Sequence, residues 1–184
     1  MSMTSYPPFR HLAHAGRKHI TAKFCPILVP WAFEQRDLKD KLSASTFRIE
    51  DEMKRRNPDI LHWKVISSIV KQVPYAVLRN RAKMRFASAF GTALKSQGYH
   101  DNGQPRKDAM DASQEPLLPL KGTLEIYLFI KDPLTDPFPD LVAESAGIIQ
   151  AVKRHQISFR SNDQNNKMGS ALNQGPLIRR IQSS

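Results

Sequence analysis

Cysteine is almost absent from this chain. Cys25 is the single one among 184 residues, which excludes an internal disulfide and fits a reducing compartment. No CxxC pair or Cys/His cluster accompanies it, so a thiolate metal site is excluded and Cys25 reads as a buried strand residue. No apolar run is long enough to cross a bilayer, and no membrane partner is expected. Paired carboxylates and nucleophile–base sets are missing as well, so no catalytic residue and no protein-bound metal are assigned. Acidic side chains are lacking altogether from Met1–Phe33 and from Ile60–His100.

What the chain does have is positive charge, with 28 Lys and Arg against 17 Asp and Glu, a net +11. Glu34–Asp59 carries equal numbers of acids and bases, and Lys121–Gln150 is net acidic. The excess is therefore segregated into blocks, the signature of a polyanion footprint more than of a uniformly solvated surface. A generically basic, soluble protein is the plainer alternative.

Met1–Pro8 has no apolar segment and is not a secretory signal, although an acid-free basic N-terminus is also what organellar presequences look like. Phe9–Gly16 is predicted as a short helix, with Phe9, Leu12 and Ala13 on one side and a glycine at its end. His14 and His19 have no metal-ligand spacing and read as surface residues near phosphate. Arg17–Phe33 is extended, with Ile20, Ala22 and Phe24 alternating against Thr21 and Lys23. Residues 34–59 form a charge-balanced insertion, helical around Phe47–Arg56 and expected to be mobile. Leu61–Val70 alternates as a strand. Residues 98–120 are a second, flexible insertion. Thr123–Lys131 is the clearest strand, with Leu124, Ile126, Leu128 and Ile130 toward the core and Glu125, Tyr127, Phe129 and Lys131 on an amphipathic face. Asp140–Val152 is a helix with Leu141, Ile148, Ile149 and Val152 inward, and residues 154–184 a polar, basic tail expected to be disordered.

Pro74 suits the first turn of a helix, and from Tyr75 onward Ala82, Phe86, Ala89, Phe90, Ala93 and Leu94 recur at three- and four-residue steps. That stripe is core. The remaining surface carries two like-charged columns, Arg79 with Lys83 and Arg81 with Arg85, and no carboxylate between them. Mutual repulsion of this kind is offset by an anionic partner, and arginine's fork suits phosphate oxygens.

The element order, and Ala76, Val77, Arg79, Asn80, Arg81, Lys83 and Phe90 within it, resembles the protein component of bacterial ribonuclease P, whose signature is AVxRNRxKR. Phe9, Gly16 and Phe24 fall on that family's spaced aromatic and glycine positions, and Leu124–Lys131 with Asp140–Val152 on its closing strand and helix. The likeness covers residues 9–33, 61–97 and 121–153 of a domain spanning 9–153. It departs at Val70–Pro74, where the family has SKKVG, at Met84 and Ala87, where it is basic, and at Ser88, where it has glutamate.

The resemblance implies an α/β (α+β) two-layer sandwich, a four-stranded sheet packed with about three helices, with a left-handed βαβ crossover of the ribosomal S5 domain 2 type. It implies a protein that binds a catalytic RNA and the 5′ leader of precursor tRNA, with Mg2+ and the hydrolysis belonging to the RNA and no DNA partner. Arg79, Asn80, Arg81, Lys83, Arg85 and Lys71 would then contact the catalytic RNA. Phe9, Arg10, Arg17, Lys18, Lys64, Tyr127 and Phe129 would line a separate leader cleft between the first helix and the sheet, with Phe9 and Phe129 equally suited to the core. The compartment would be the bacterial cytoplasm, or the mitochondrial matrix for an organellar relative. The alternatives are a structural RNA-binding protein of an organellar ribosome or RNA assembly that keeps the fold, and a module whose basic face binds an acidic protein.

Replacing Arg79 and Arg81 together by alanine is expected to weaken RNA binding and flatten its salt dependence with folding intact. Anisotropy across a salt series, with circular dichroism as the folding control, checks this; unchanged affinity at moderate salt overturns it.

Overall fold

The computed structural model of this chain describes residues 6–13, 20–40, 43–67, 75–106, 117–129 and 132–172. Four strands, β1 (Arg10–His11), β2 (Ile20–Cys25), β3 (Leu61–Ser67) and β4 (Gly122–Leu128), form one mixed sheet in the order β1-β2-β4-β3. β4 is central, antiparallel to β2 and parallel to β3. The helices are α1 (Ala32–Asp37), α2 (Ala44–Arg55), α3 (Ala76–Ser96), the single turn α4 (Asp132–Thr135) and α5 (Phe138–Leu172). This is an α+β arrangement compatible with two layers.

Register decides which side chains share a face. Ile20, Ala22 and Phe24 lie opposite Leu128, Ile126 and Leu124, and Leu61 and Val65 complete the same face from β3. All six predicted stripe residues of α3 are fully buried; Phe86, Ala89, Phe90, Ala93 and Leu94 pack against this face with Leu141, Ile148, Ile149 and Val152 of α5, while Ala82 packs on Leu134. The α3 stripe therefore does what its spacing dictates. The helix ends in a Schellman motif: Gly98, at φ 82°, donates to the Lys95 carbonyl and Tyr99 to that of Leu94.

Four expectations need correction. The predicted first helix is a strand where it is described: Arg10 pairs with Phe24 and His11 with Lys23, while the Leu12 amide donates to the Ala22 carbonyl. With so few apolar residues the helical and alternating periods are indistinguishable, and the free edge of β2 decides.

The first insertion, expected to be mobile, carries two packed helices, of which α2 is the one expected around Phe47–Arg56 and α1 is unforeseen. Ser43 caps α2 by accepting from the Ser45 amide, and Arg56 at its far end forms a two-point pair with Glu34 of α1, at 3.0 and 3.3 Å. The two side chains are only 15% and 7% exposed. The second insertion begins as ordered structure, with Tyr99 in the core and the Leu120 amide donating to the Gly103 carbonyl; its residues 107–116 lie outside those described.

The tail expected to be disordered instead continues α5 to Leu172. Lys153 donates to Gln97 and Gln156 to the Pro119 carbonyl, tying the next turn to the domain, and each further helical residue then adds a bond without a new nucleation step. Residues 173–184 lie outside the described residues.

Gly122 sits where the chain leaving β2 crosses the start of β4. Its φ is 108°, and a Cβ there would stand 2.2 Å from the Cys25 carbonyl oxygen. This close crossing aims residues 26–31 over the second face of the sheet.

Because the Glu34–Arg56 pair is buried, removing one partner strands the other. Arg56→Ala is expected to lower unfolding free energy by about 3 kcal/mol. Asp51→Ala, which breaks the exposed Arg55–Asp51 pair, is expected to lower it by at most about 0.5 kcal/mol. Urea unfolding of the two variants checks the contrast, and equal losses would refute a structural role for the pair.

Candidate nucleic-acid interface

The second face of the sheet carries Thr21 and Lys23 of β2, Thr123, Glu125 and Tyr127 of β4, and His62, Lys64 and Ile66 of β3. One end of it is roofed. The Val29 amide donates to Thr123 Oγ1 at 3.0 Å, and the Ala32 amide at the start of α1 donates to Glu125 Oε1 at 2.7 Å. The other Glu125 oxygen accepts from the Tyr127 hydroxyl at 2.6 Å. Glu125, expected on an amphipathic face, is therefore fully buried. Its partners are what make that tolerable, since a carboxylate removed from water requires hydrogen bonds.

Past the roof the face opens into a cleft of about 610 Å³. Lys64, Ile66 and Tyr127 line its sheet side, Phe33 and Arg36 of α1 one wall, and Arg79, Asn80 and Lys83 of α3 the other. Four of these are cations, and among the described residues lining the cleft none is acidic. The Lys64 ammonium lies 4.4 Å from the Phe33 ring centre, and Phe33 keeps 39% of its surface exposed. The pKa of Tyr127 is pushed far above its ordinary value, first by burial, then by the hydrogen bond to Glu125 and that carboxylate's charge, with Arg36 acting weakly in the opposite sense. Cations beside exposed rings are the elements from which single-stranded nucleic-acid grooves are built: rings for bases, cations for phosphates. A wall of cations suits phosphate better than a divalent ion.

The sequence placed the leader residues and the RNR residues on two separate surfaces; the fold merges two of the seven leader residues with three of the six RNA-contact residues. Lys64 and Tyr127 share the cleft with Arg79, Asn80 and Lys83. The second charged column of α3 faces elsewhere, because residues two apart on a helix diverge by about 200°. Arg81 is exposed outside the cleft, and Arg85 donates to the Asp136 carbonyl beside α4, whose Leu134 packs on Ala82. Arg85 is thus half-buried and tied to the fold.

Phe129 is 44% exposed and stacks on Tyr127, centroids 6.2 Å apart at 12°, so it is surface and not core. Arg10 is misplaced by the expectation. It shares the helix-covered side with its partner Phe24, and its charge, after burial, lowers the pKa of His155 on α5. Phe9, half-buried beside it, follows the β1 edge, two strands from the cleft's β3 side. Lys71, Arg17 and Lys18 lie outside the described residues. Phe33 was missed because it ends the stretch read as extended, and Arg36 because the balanced charge of residues 34–59 reads as a mobile insertion. The available signal was an aromatic and an arginine three residues apart, straddling its start.

Cys25 is fully buried in β2 as expected, and burial raises its thiol pKa. Among the described residues no group of three or more His, Cys, Asp or Glu is gathered to hold a metal, and no helix is long and apolar enough to cross a membrane.

A phenol whose folded pKa is raised contributes stability below its ordinary pKa of about 10 and loses it as pH rises toward the folded value. Wild-type stability is therefore expected to fall more steeply above about pH 10 than that of Tyr127→Phe, which has no such proton to lose. Urea midpoints measured across the alkaline range check this, and parallel curves would contradict it.

No family model matches this chain, and neither does any curated protein or solved structure.

Proposed function

We propose that this protein is an RNA-binding subunit of the ribonuclease P type, assisting a catalytic RNA in removing 5′ leaders from precursor tRNA. The observation that carries the reading is the convergence of Arg79, Asn80 and Lys83 with Lys64 and Tyr127 around one acid-free cleft, although the two groups come from different parts of the chain. In this reading the α3 crossover between parallel β3 and β4 is the left-handed one of the ribonuclease P protein and ribosomal S5 domain 2 sandwich.

The division of α3 assigns two tasks. Arg79, Asn80 and Lys83 face the cleft and hold a single strand by its phosphates, with Lys64 beneath and the Tyr127–Phe129 ring pair at the margin. Arg81, on the outer flank, contacts the catalytic RNA. Magnesium and the hydrolytic step belong to the RNA; the protein contributes charge neutralisation and positioning, and counterion release makes its affinity fall with salt.

A second reading is favoured by the roof over the sheet. In the resemblance the leader cleft is bounded by a first helix, but here β1 occupies that part of the chain and α1 closes one end of the face instead. A structural RNA-binding protein that keeps the fold and binds one site in a larger ribonucleoprotein would fit such a remodelled groove.

Crosslinking the protein to RNA in its native cells, followed by stringent purification and sequencing, separates the readings. Recovery of a ribonuclease P RNA with precursor-tRNA leaders is the expected result. A single ribosomal RNA footprint without leaders selects the second reading, and recovery of no RNA refutes both.

A further inference from the structure

Sequence alone suggests a mobile insertion at residues 34–59, yet the helix at its start is fastened to the sheet more firmly than a spacer requires. A helix of six residues has little stability of its own. α1 is held by the bond from the Ala32 amide to buried Glu125, by Glu34 accepting from the Trp31 amide at 2.9 Å, and by the paired contact of Glu34 with Arg56. Toward the cleft it presents Phe33 and Arg36, three residues apart and therefore on one side of the helix.

Fixing an apolar ring at 39% exposure against a lysine ammonium, with an arginine beside it, contributes little to packing. It does prepare a contact. A preorganised surface loses little conformational freedom on binding, and an aromatic face beside two cations matches a nucleobase followed by its phosphates.

We propose that α1 is the second wall of a single-strand channel, in which Phe33 stacks on an unpaired base and Arg36 holds an adjacent phosphate opposite Arg79 and Lys83. The proposal rests on the RNA-binding reading and adds to it a discrimination: a duplex offers phosphates to Lys83 but no free base to Phe33. The channel therefore selects unpaired RNA.

The test uses the full chain, a short unstructured oligoribonucleotide, and a blunt RNA hairpin of similar charge. Phe33→Ala is expected to weaken binding of the unstructured RNA about tenfold while changing hairpin affinity less than about twofold, and Phe33→Trp to restore it. Arg36→Ala is expected to reduce the salt slope for the unstructured RNA by about 0.7, the share of one phosphate contact. Phe33 lies outside the core, and circular dichroism of each variant verifies the fold. If Phe33→Ala binds the unstructured RNA as wild type does while Lys83→Ala is impaired, α1 is not a wall and the RNA-binding reading stands without it. If the wild-type protein binds neither RNA, both are overturned.

Discussion

The geometry of the cleft depends on one buried carboxylate. Glu125 stands in the middle of the central strand, and its two oxygens reach in different directions, one to the Ala32 amide and the other to the Tyr127 hydroxyl. The first bond locates α1 over the sheet; the second holds the Tyr127 hydroxyl. Neither donor is replaceable by water at a site with no solvent exposure, so the carboxylate, the helix and the phenol are ordered together or not at all. Lys23 and Lys64, its register partners on either side, place positive charge around this acid without exposing it. The negative charge that would weaken phosphate binding is thereby kept beneath the surface.

A helix with four cations within seven residues meets different surroundings on its different flanks. On α3 the buried stripe fixes the rotation, and the rotation distributes the cations: Arg79 and Lys83 to the sheet side, Arg81 and Arg85 to the α4 side. The same four residues look equivalent when counted as net charge. Their consequences differ, since Arg85 satisfies a backbone carbonyl while Lys83 lines an open cleft.

Much of the core was legible in the sequence. The α3 stripe, the alternation in β2, β3 and β4, and the inner positions of α5 are patterns in which each residue's burial follows from its neighbours along the same element. The elements that escaped are those whose state is decided by something distant. Arg10–His11 is a strand because β2 has an edge to offer, and α1 is ordered because Glu34 and Arg56 meet across 22 positions. Glu125 is buried because the chain returns over it, which nothing in the alternation of β4 foretells. At the cleft, the α3 motif and Lys64 with Tyr127 could be named from sequence, but not that they face one another. Phe33 and Arg36 were invisible for the reason Glu125 was misjudged: their role depends on where α1 docks.

The length of α5 has a geometric consequence. Its last buried residue among those described is Gln156, and the helix runs on to Leu172, which at about 1.5 Å per residue carries the backbone roughly 24 Å further. As a whole α5 is a rod of 35 residues, roughly 52 Å long, many times the size of a mononucleotide. A ligand that followed it from end to end would have to be an object on the scale of a folded macromolecule.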